Sequence, residues 1–176
     1  MSNRLASLSA CELFANFSEK ELKAIKELLK RTTFEPGKLI IEDGSAATYI
    51  YIIWAGRCEI FKSDNQGANT YTLATLGPGN FFGEMALIDG GKRSSNVRAI
   101  DDVEALVISA KDLYHLSDNP KTAPLSAKMG INLAKVLVQR LRDTNEQAIN
   151  ALHGEHVQAT LRKAQQAGST GYEWVS

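Results

Sequence analysis

Short β-rich runs separated by glycine turns fill residues 35 to 109 and constrain the fold most. The runs in EPGKLIIEDGSAATYIYIIWAGRCEIFKS are interrupted at Pro36-Gly37, Asp43-Gly44 and Ala55-Gly56. TYTLATLGPGNFFGE, SNVRAI and VEALVIS continue the pattern. Short strands with turn residues roughly every 8 to 12 positions are typical of antiparallel sandwiches and barrels. The middle of the chain is therefore predicted to be an antiparallel β-structure.

A helix is predicted on each side of this region. In SEKELKAIKELLKR, Ser18 and Glu21 have the spacing of a capping box, and an apolar stripe follows. The stripe comprises Leu22, Ile25, Leu28 and Leu29. AKDLYHL predicts a short helix capped by Ser109, and the two prolines of SDNPKTAP predict a turn after it.

A long helix is predicted from Leu125 to Gln165, where apolar or small residues recur every three or four positions. They are Met129, Leu133, Leu137, Leu141, Thr144, Ala148 and Leu152. At about 1.5 Å per residue, such a helix reaches roughly 60 Å, which a small barrel cannot cover. The stripe therefore favours a homodimer seam between two copies of this helix. The alternative is a helix that breaks at Gly130 and folds back on its own barrel.

The composition narrows the class of protein. The 176 residues suffice for one domain and an appendage, and 20 Lys+Arg balance 20 Asp+Glu, which disfavours polyanion binding as the main task. The N-terminus lacks the apolar core of a signal peptide, and no apolar run could cross a bilayer, so we expect a cytoplasmic protein without membrane attachment. Cys11 and Cys58 are too few for a disulfide framework or a zinc site, and Cys58 is expected to be buried.

The segment FFGEMALIDGGKRSSNVRA, residues 81 to 99, has the residues to bind a small anion that carries hydroxyl groups. GEMAL can form one helical turn whose first N–H groups attract an anion, and Gly83 allows close approach to the backbone. Ionised Glu84 accepts hydrogen bonds from hydroxyls, whereas the planar Arg93 guanidinium matches two phosphate oxygens. Ser94 and Ser95 add further donors. A compact nucleotide with one phosphate fits this set, although Glu84 and Arg93 could instead form a plain ion pair beside turn glycines.

This segment resembles the phosphate-binding cassette of the cyclic nucleotide-binding domain family, found in bacterial catabolite activator proteins, protein kinase regulatory subunits and nucleotide-gated channels. The resemblance extends to Gly44, Gly56 and LGPGNFFGE, and it covers roughly Leu13 to Leu116. It implies an α+β, mainly β fold: an eight-stranded antiparallel jelly-roll β-barrel flanked by an N-terminal helix, a short cassette helix and a long C-terminal helix. The implied divisions are a helical segment (1–34), the β-roll (35–116), a hinge with the long helix (117–166) and a tail (167–176).

The resemblance also implies a role for each cassette residue. Gly83 and Ala86 would shape the short helix, Glu84 would bind the ribose 2′-hydroxyl, and Arg93 would bind the exocyclic phosphate oxygens. Ser94 would add its hydroxyl and N–H to the phosphate, and Ser95 would close the pocket. The implied set of ligand-binding residues is completed by Phe82, Met85 and Val97.

The resemblance also implies which nucleotide base is bound and how binding is transmitted to other proteins. In the bacterial activators a threonine and a serine on the long helix contact adenine, and QRLRDTNEQAINAL places Thr144 and Asn145 at those positions. Cyclic AMP is therefore the expected ligand, with cyclic GMP as the alternative because a hydroxyl at Ser94 can also bond guanine. Too little sequence follows Gln165 for a helix-turn-helix, so we expect no direct DNA binding. The expected output is movement of the long helix, with Leu87 and Ile88 repacking beneath it, read by an unidentified effector protein.

Two other classes of function remain possible from the residues. A cupin-like metalloenzyme would need several His or carboxylate ligands inside the barrel, but His115, His153 and His156 fall on predicted helices. We therefore expect no metal and no catalytic residues. A nucleotide-independent dimerisation or scaffold module with a non-functional pocket is the other alternative, and the complete set of Gly83, Glu84, Arg93 and Ser94 disfavours it.

Overall fold

The computed structural model describes residues 8–64 and 69–168 and divides the chain into two compact units, residues 1–133 and 134–176. The described strands are β1 (Lys30–Phe34), β2 (Leu39–Ile41), β3 (Tyr49–Ala55), β4 (Cys58–Ser63), β5 (Thr70–Leu76), β6 (Phe81–Phe82), β7 (Asn96–Ala99) and β8 (Val103–Ser109). The described helices are α1 (Glu19–Lys26), α2 (Met85–Ile88), α3 (Ala110–Asp118) and α4 (Ala123–Gly168), and a 3-10 turn spans Glu12–Phe14.

The strands form two four-stranded antiparallel sheets, ordered β1-β8-β3-β6 and β2-β7-β4-β5. Consecutive strands such as β1 and β2 lie in different sheets, as in a jelly roll. The apolar core lies between the sheets, because alternate residues of each strand point inward. Its buried members are Ile41, Ile53, Cys58, Leu76, Phe82, Val97, Ala99, Val103 and Ala105. The predicted mainly β jelly-roll fold with flanking helices is confirmed.

Both predicted helix caps are present. Ser18 accepts a hydrogen bond from the Glu21 N–H, and the Glu21 carboxylate accepts one from the Ser18 N–H, which completes the capping box of α1. The Ser109 hydroxyl accepts a bond from the Asp112 N–H at the start of α3. The local chemistry therefore fixes where these helices begin.

The predicted end of the first helix was wrong. α1 stops at Lys26, and residues 30–34, which we assigned to the helical segment, form β1 paired with β8. Leu28 and Leu29 are apolar, but they lie in the turn between helix and strand. The two threonines of β1 favour a strand, and pairing along the whole of Lys30–Phe34 outweighs continuation of the helix.

The start of α4 is held by the N-terminal segment. The buried Asn132 side-chain amide donates to the carbonyl oxygens of Leu13 and Ala15 at 3.1 and 2.9 Å. Lys128 binds the Glu21 carboxylate at 3.0 Å, and its ammonium lies 4.9 Å from the centre of the Phe17 ring. These contacts fix the first turns of the long helix to the segment that precedes the β-roll.

The long helix is continuous through Gly130, so the predicted alternative of a break at this residue does not describe the secondary structure. It extends two residues before the predicted start at Leu125 and three beyond the predicted end at Gln165. Residues 169–176 of the predicted tail lie outside the described residues.

Both cysteines are buried, as predicted for Cys58. Cys11 lies in the N-terminal segment and Cys58 in the core between the sheets. Burial raises the pKa of each thiol to about 11.

Candidate functional site

The segment that precedes the cassette helix is anchored by two buried phenylalanines. Phe81 and Phe82 form β6, which pairs with Ile52 and Tyr51 of β3. The Tyr51 ring stacks on Phe82 with the ring centres 5.0 Å apart. This anchoring fixes the point from which the chain turns into α2.

Gly83 makes that turn, and only a glycine fits there. Its φ is +83°, in the left-handed region. A Cβ atom at this position would lie 2.6 Å from Nη1 of Arg93 and 3.2 Å from the carbonyl oxygen of Tyr49. The absence of a side chain at Gly83 therefore leaves the space that the Arg93 guanidinium occupies.

Arg93 points into the protein, and its side chain is almost fully buried, with 5% exposed. Nη1 donates to the carbonyl oxygen of Gly83 at 2.5 Å, and Nη2 donates to that of Tyr49 at 2.8 Å. Burial lowers the pKa of Arg93 below its usual value, while interactions with Tyr51 and Glu84 act in the opposite direction. Even so, a guanidinium stays charged at neutral pH. The site therefore contains a buried positive charge held by neutral carbonyl groups.

Glu84 is equally buried, with 2% exposed, and it directly follows Gly83. Its carbonyl oxygen accepts the first hydrogen bond of α2, from the Ile88 N–H at 3.2 Å. The negative charge of the Glu84 carboxylate acts to raise the pKa of the Arg93 guanidinium, so the two groups lie near each other. Two opposite charges in a buried site suit a ligand that has both an anionic group and hydroxyls.

The other predicted cassette residues fall into a buried and an exposed group. Phe82 and Val97 are core residues, whereas Ser94 and Met85 are exposed. The Ser94 hydroxyl lies 3.9 Å from the Met85 sulfur, so the two sides of the loop meet here. Ser95 is half-buried, and Ala86 lies in α2 with its side chain outside those described.

Thr144 and Asn145 lie on α4 in the second unit, and both are exposed. The Thr144 hydroxyl donates to the Arg140 carbonyl oxygen at 2.8 Å, one turn earlier in the same helix. The proposed contact of these residues with a base stays a prediction.

Sequence reasoning missed the contribution of β3 and of Ser45 in the loop before it, and it named Gly44 only as part of the resemblance. Tyr49 contributes only its carbonyl oxygen to Arg93, and a backbone acceptor leaves no sequence signal. The backbone of Arg93 also bonds to Gly44 and Ser45. The alternation of β3 could have identified Tyr51, because residues two apart share a face of a strand.

Among the side chains that the structure describes, no group of three or more His, Cys, Asp or Glu is arranged to hold a metal ion. The side chain of His156 lies outside those described. His115 and His153 are exposed on α3 and α4. In residues 8–64 and 69–168, every helix is too short or too polar to cross a bilayer.

Comparisons with known proteins agree with the geometry. The model of the family described as cyclic nucleotide-binding domain matches residues 31–119. The chain is 33% identical over 133 residues to the cyclic AMP receptor protein of Thermus thermophilus, across 76% of this chain and 58% of that protein. It is 27% identical over 140 residues to the cGMP-dependent protein kinase of Plasmodium berghei, across 79% of this chain and 16% of that protein.

Similarity extends to solved structures. The crystal structure of a cyclic nucleotide-binding domain from Methylobacillus flagellatus superposes with a TM-score of 0.71 at 26% identity, across 81% of this chain and 79% of that one. By contrast, the chain spans less than two thirds of the Thermus and Plasmodium proteins.

Proposed function

The chain belongs to the cyclic nucleotide-binding domain family, and we propose that the site around Arg93 binds cyclic AMP. Members of this family are sensor and regulatory domains, not enzymes. The observation that carries the proposal is the buried Arg93 guanidinium, bonded to the carbonyls of Gly83 and Tyr49 beside the buried Glu84. The two described hydrogen bonds of this cation go to neutral carbonyls, and a buried guanidinium with donors to spare favours an anionic ligand.

In the proposed complex, Arg93 binds the exocyclic phosphate oxygens and Glu84 accepts a hydrogen bond from the ribose 2′-hydroxyl. The two bonds to Gly83 and Tyr49 use two of the five N–H donors of a guanidinium, so a phosphate can bind without displacing both carbonyls. Ser94 and Ser95 supply further donors from the loop. Phe82 and Val97 would support the site from the core, Met85 would line it from α2, and Ala86 would help to shape that helix.

Adenine is the proposed base, with Thr144 and Asn145 of α4 as its contacts and guanine as the alternative. Both residues present polar side chains on an exposed part of α4, which is a condition for reaching a ligand. The relatives include both a cyclic AMP receptor protein and a cGMP-dependent protein kinase, so titration with the two nucleotides decides between the bases.

The proposed output passes through the apolar side of the cassette helix. Ile88 is exposed at one edge of a cavity of about 160 Å³, whose other walls include Leu113 of α3 and Met129 and Leu133 of α4. Burying Ile88 in this cavity would stabilise one arrangement of the first turns of α4 over another, whereas the side chain of Leu87, the other residue predicted to repack, lies outside those described. Ligand binding would then shift the population between them, and a partner protein would read the position of the helix.

We also propose that the protein is a homodimer through α4. The predicted stripe is buried at Met129 but exposed at Leu141, Ala148 and Leu152, and the leucines are 60% and 66% exposed. Large apolar side chains that recur along a helix are stabilised when a second helix covers them.

Isothermal titration calorimetry with cyclic AMP and cyclic GMP in parallel tests the ligand and ranks the two bases. Arg93→Ala is expected to weaken binding by about 2 to 5 kcal/mol, because a buried charge-assisted contact loses one partner. Arg98→Ala is the matched control. Arg98 lies five residues after Arg93, on β7, but it binds Glu59 and covers the Phe61 ring of β4. If Arg93→Ala binds cyclic AMP as tightly as the parent protein, the assigned site is wrong.

A further inference from the structure

The first part of the loop between β2 and β3, residues 42–46, binds both the N–H and the carbonyl group of Arg93. The Gly44 N–H donates to the Arg93 carbonyl oxygen at 2.8 Å, and the Arg93 N–H donates to the Ser45 carbonyl oxygen at 2.9 Å. An isolated β-bridge between Ala46 and Lys92 extends this pairing by one residue. The position of the guanidinium therefore depends on the position of this loop.

A side chain of β7 holds the loop to the sheet. The Asp43 N–H donates to Oδ1 of Asn96 at 3.0 Å. The backbone pairing of β2 with β7 ends at Ile41 and Val97, where its register is irregular. Asn96 itself is fixed in the sheet opposite Phe61 of β4. Its amide thus continues the connection between loop and sheet beyond the end of the backbone ladder.

The other contacts described for this loop fix its shape more than its location. The Ser45 N–H and hydroxyl both donate to the Glu42 carbonyl oxygen, at 3.2 and 2.6 Å, within the same turn. Lys62 approaches the Asp43 carboxylate at 3.5 Å, but both side chains are substantially exposed, and such pairs contribute little. The hydrogen bond from the Asp43 N–H to the Asn96 side chain, by contrast, joins the loop backbone directly to the neighbouring strand.

We propose that Asn96 is a positioning residue for Arg93. By holding Asp43, its side-chain oxygen keeps the Gly44–Ser45 backbone in place, and that backbone keeps Arg93 aligned with the carbonyls of Gly83 and Tyr49. The effect on ligand binding rests on the proposed function, whereas the effect on the loop does not.

Amide hydrogen exchange measured by NMR on the ligand-free protein tests the structural part. In Asn96→Ala, exchange at Gly44 and Arg93 is expected to be about 3- to 10-fold faster, as for the loss of one hydrogen bond. Asn69→Ala is the matched control, because it removes another asparagine side-chain bond, to Asp64, in the β4–β5 hairpin. Unchanged exchange at Gly44 and Arg93 in Asn96→Ala would overturn the proposal, whether or not the protein binds a nucleotide.

Calorimetry then tests whether Asn96 acts through Arg93. Asn96→Ala is expected to weaken cyclic AMP and cyclic GMP binding by the same factor, about 3- to 10-fold, because both ligands carry the same phosphate. In an Arg93→Ala background the same change should have no further effect. Additive effects of the two substitutions would show that Asn96 does not act through Arg93.

Two further outcomes are distinguishable. If the parent protein binds neither nucleotide, the proposed function fails and the exchange measurement alone decides the role of Asn96. If Asn96→Ala does not fold, Asn96→Thr keeps a residue suited to a strand but shortens the side chain, and it carries the same expectations.

Discussion

Gly83 and Arg93 show how closely two residues of the site depend on each other. The arginine side chain occupies the space beside Gly83, and a methyl group there would come within 2.6 Å of Nη1. Arg93 would have to leave its two carbonyl acceptors to make room.

We therefore expect Gly83→Ala to weaken cyclic AMP binding roughly 10- to 150-fold, the equivalent of one charge-assisted hydrogen bond. Calorimetry measures the affinity, and thermal unfolding measures the stability. The affinity should fall because Arg93 is displaced. The unfolding temperature should fall because alanine at a left-handed φ costs about 1 to 2 kcal/mol.

Gly37→Ala is the control for backbone strain. Gly37 has a φ of +79°, but a Cβ there would meet nothing within 4 Å. Gly37→Ala should therefore lower the unfolding temperature without changing the affinity for cyclic AMP. If both alanine variants bind cyclic AMP equally well, the space beside Gly83 is not what positions Arg93.

At the same scale, the site was only partly predictable from the sequence. Gly83, Glu84 and Arg93 stand within a short segment, and the types of these residues indicate an anion site. The partners of Arg93 could not be predicted, because the carbonyl of Tyr49 and the loop at Gly44 come from distant parts of the chain. Such contacts depend on strand register, which local patterns do not fix.

At the scale of elements, α1 and the start of α4 are joined through Glu21. Its carboxylate accepts the Ser18 N–H and binds Lys128, and these contacts lower its pKa from the usual 4.5 to about 2. Because the folded-state pKa is depressed, this stabilisation is present above pH 4.5 and is lost as the pH falls towards 2.

Glu21→Gln is therefore expected to lower the unfolding temperature at pH 7, and the difference from the parent should shrink between pH 4.5 and 2. Differential scanning calorimetry over this pH range measures it. Glu27→Gln, at the exposed C-terminal end of α1, should leave the unfolding temperature unchanged or slightly raised, since an acid there opposes the helix dipole. A difference at Glu21 that does not depend on pH would contradict the role of its charge.

Local sequence signals were enough to predict where α1 and α3 begin, but not where α1 ends. Ser18 and Ser109 predicted both helix starts, because a cap satisfies the first N–H groups within one turn of sequence. The end of α1 was predicted wrongly because Leu28 and Leu29 continue the apolar stripe, whereas pairing of β1 with β8 is a long-range contact. The antiparallel β class was predictable from the pattern and the jelly roll came with the resemblance, but the strand order depends on long-range pairing that local patterns do not fix.

For the whole molecule, the proposed homodimer makes α4 the surface to test. Leu141→Lys is expected to convert a dimer into a monomer, because it places a charge in an apolar helix seam. Light scattering coupled to size-exclusion chromatography measures the mass. Asn150→Lys adds the same charge nine residues later, on the opposite side of an ideal helix, and should leave the dimer intact. A parent protein that is monomeric at all concentrations would refute the homodimer.

The burial of the two thiols has a practical consequence for measuring the proposed movement of α4. Cys11 and Cys58 are buried, and a pKa of about 11 leaves little thiolate to react at neutral pH. A cysteine introduced at an exposed position of α4 should therefore take up a maleimide spin label while both native thiols stay unmodified. Distances between such probes can then be recorded with and without nucleotide in an otherwise unaltered chain.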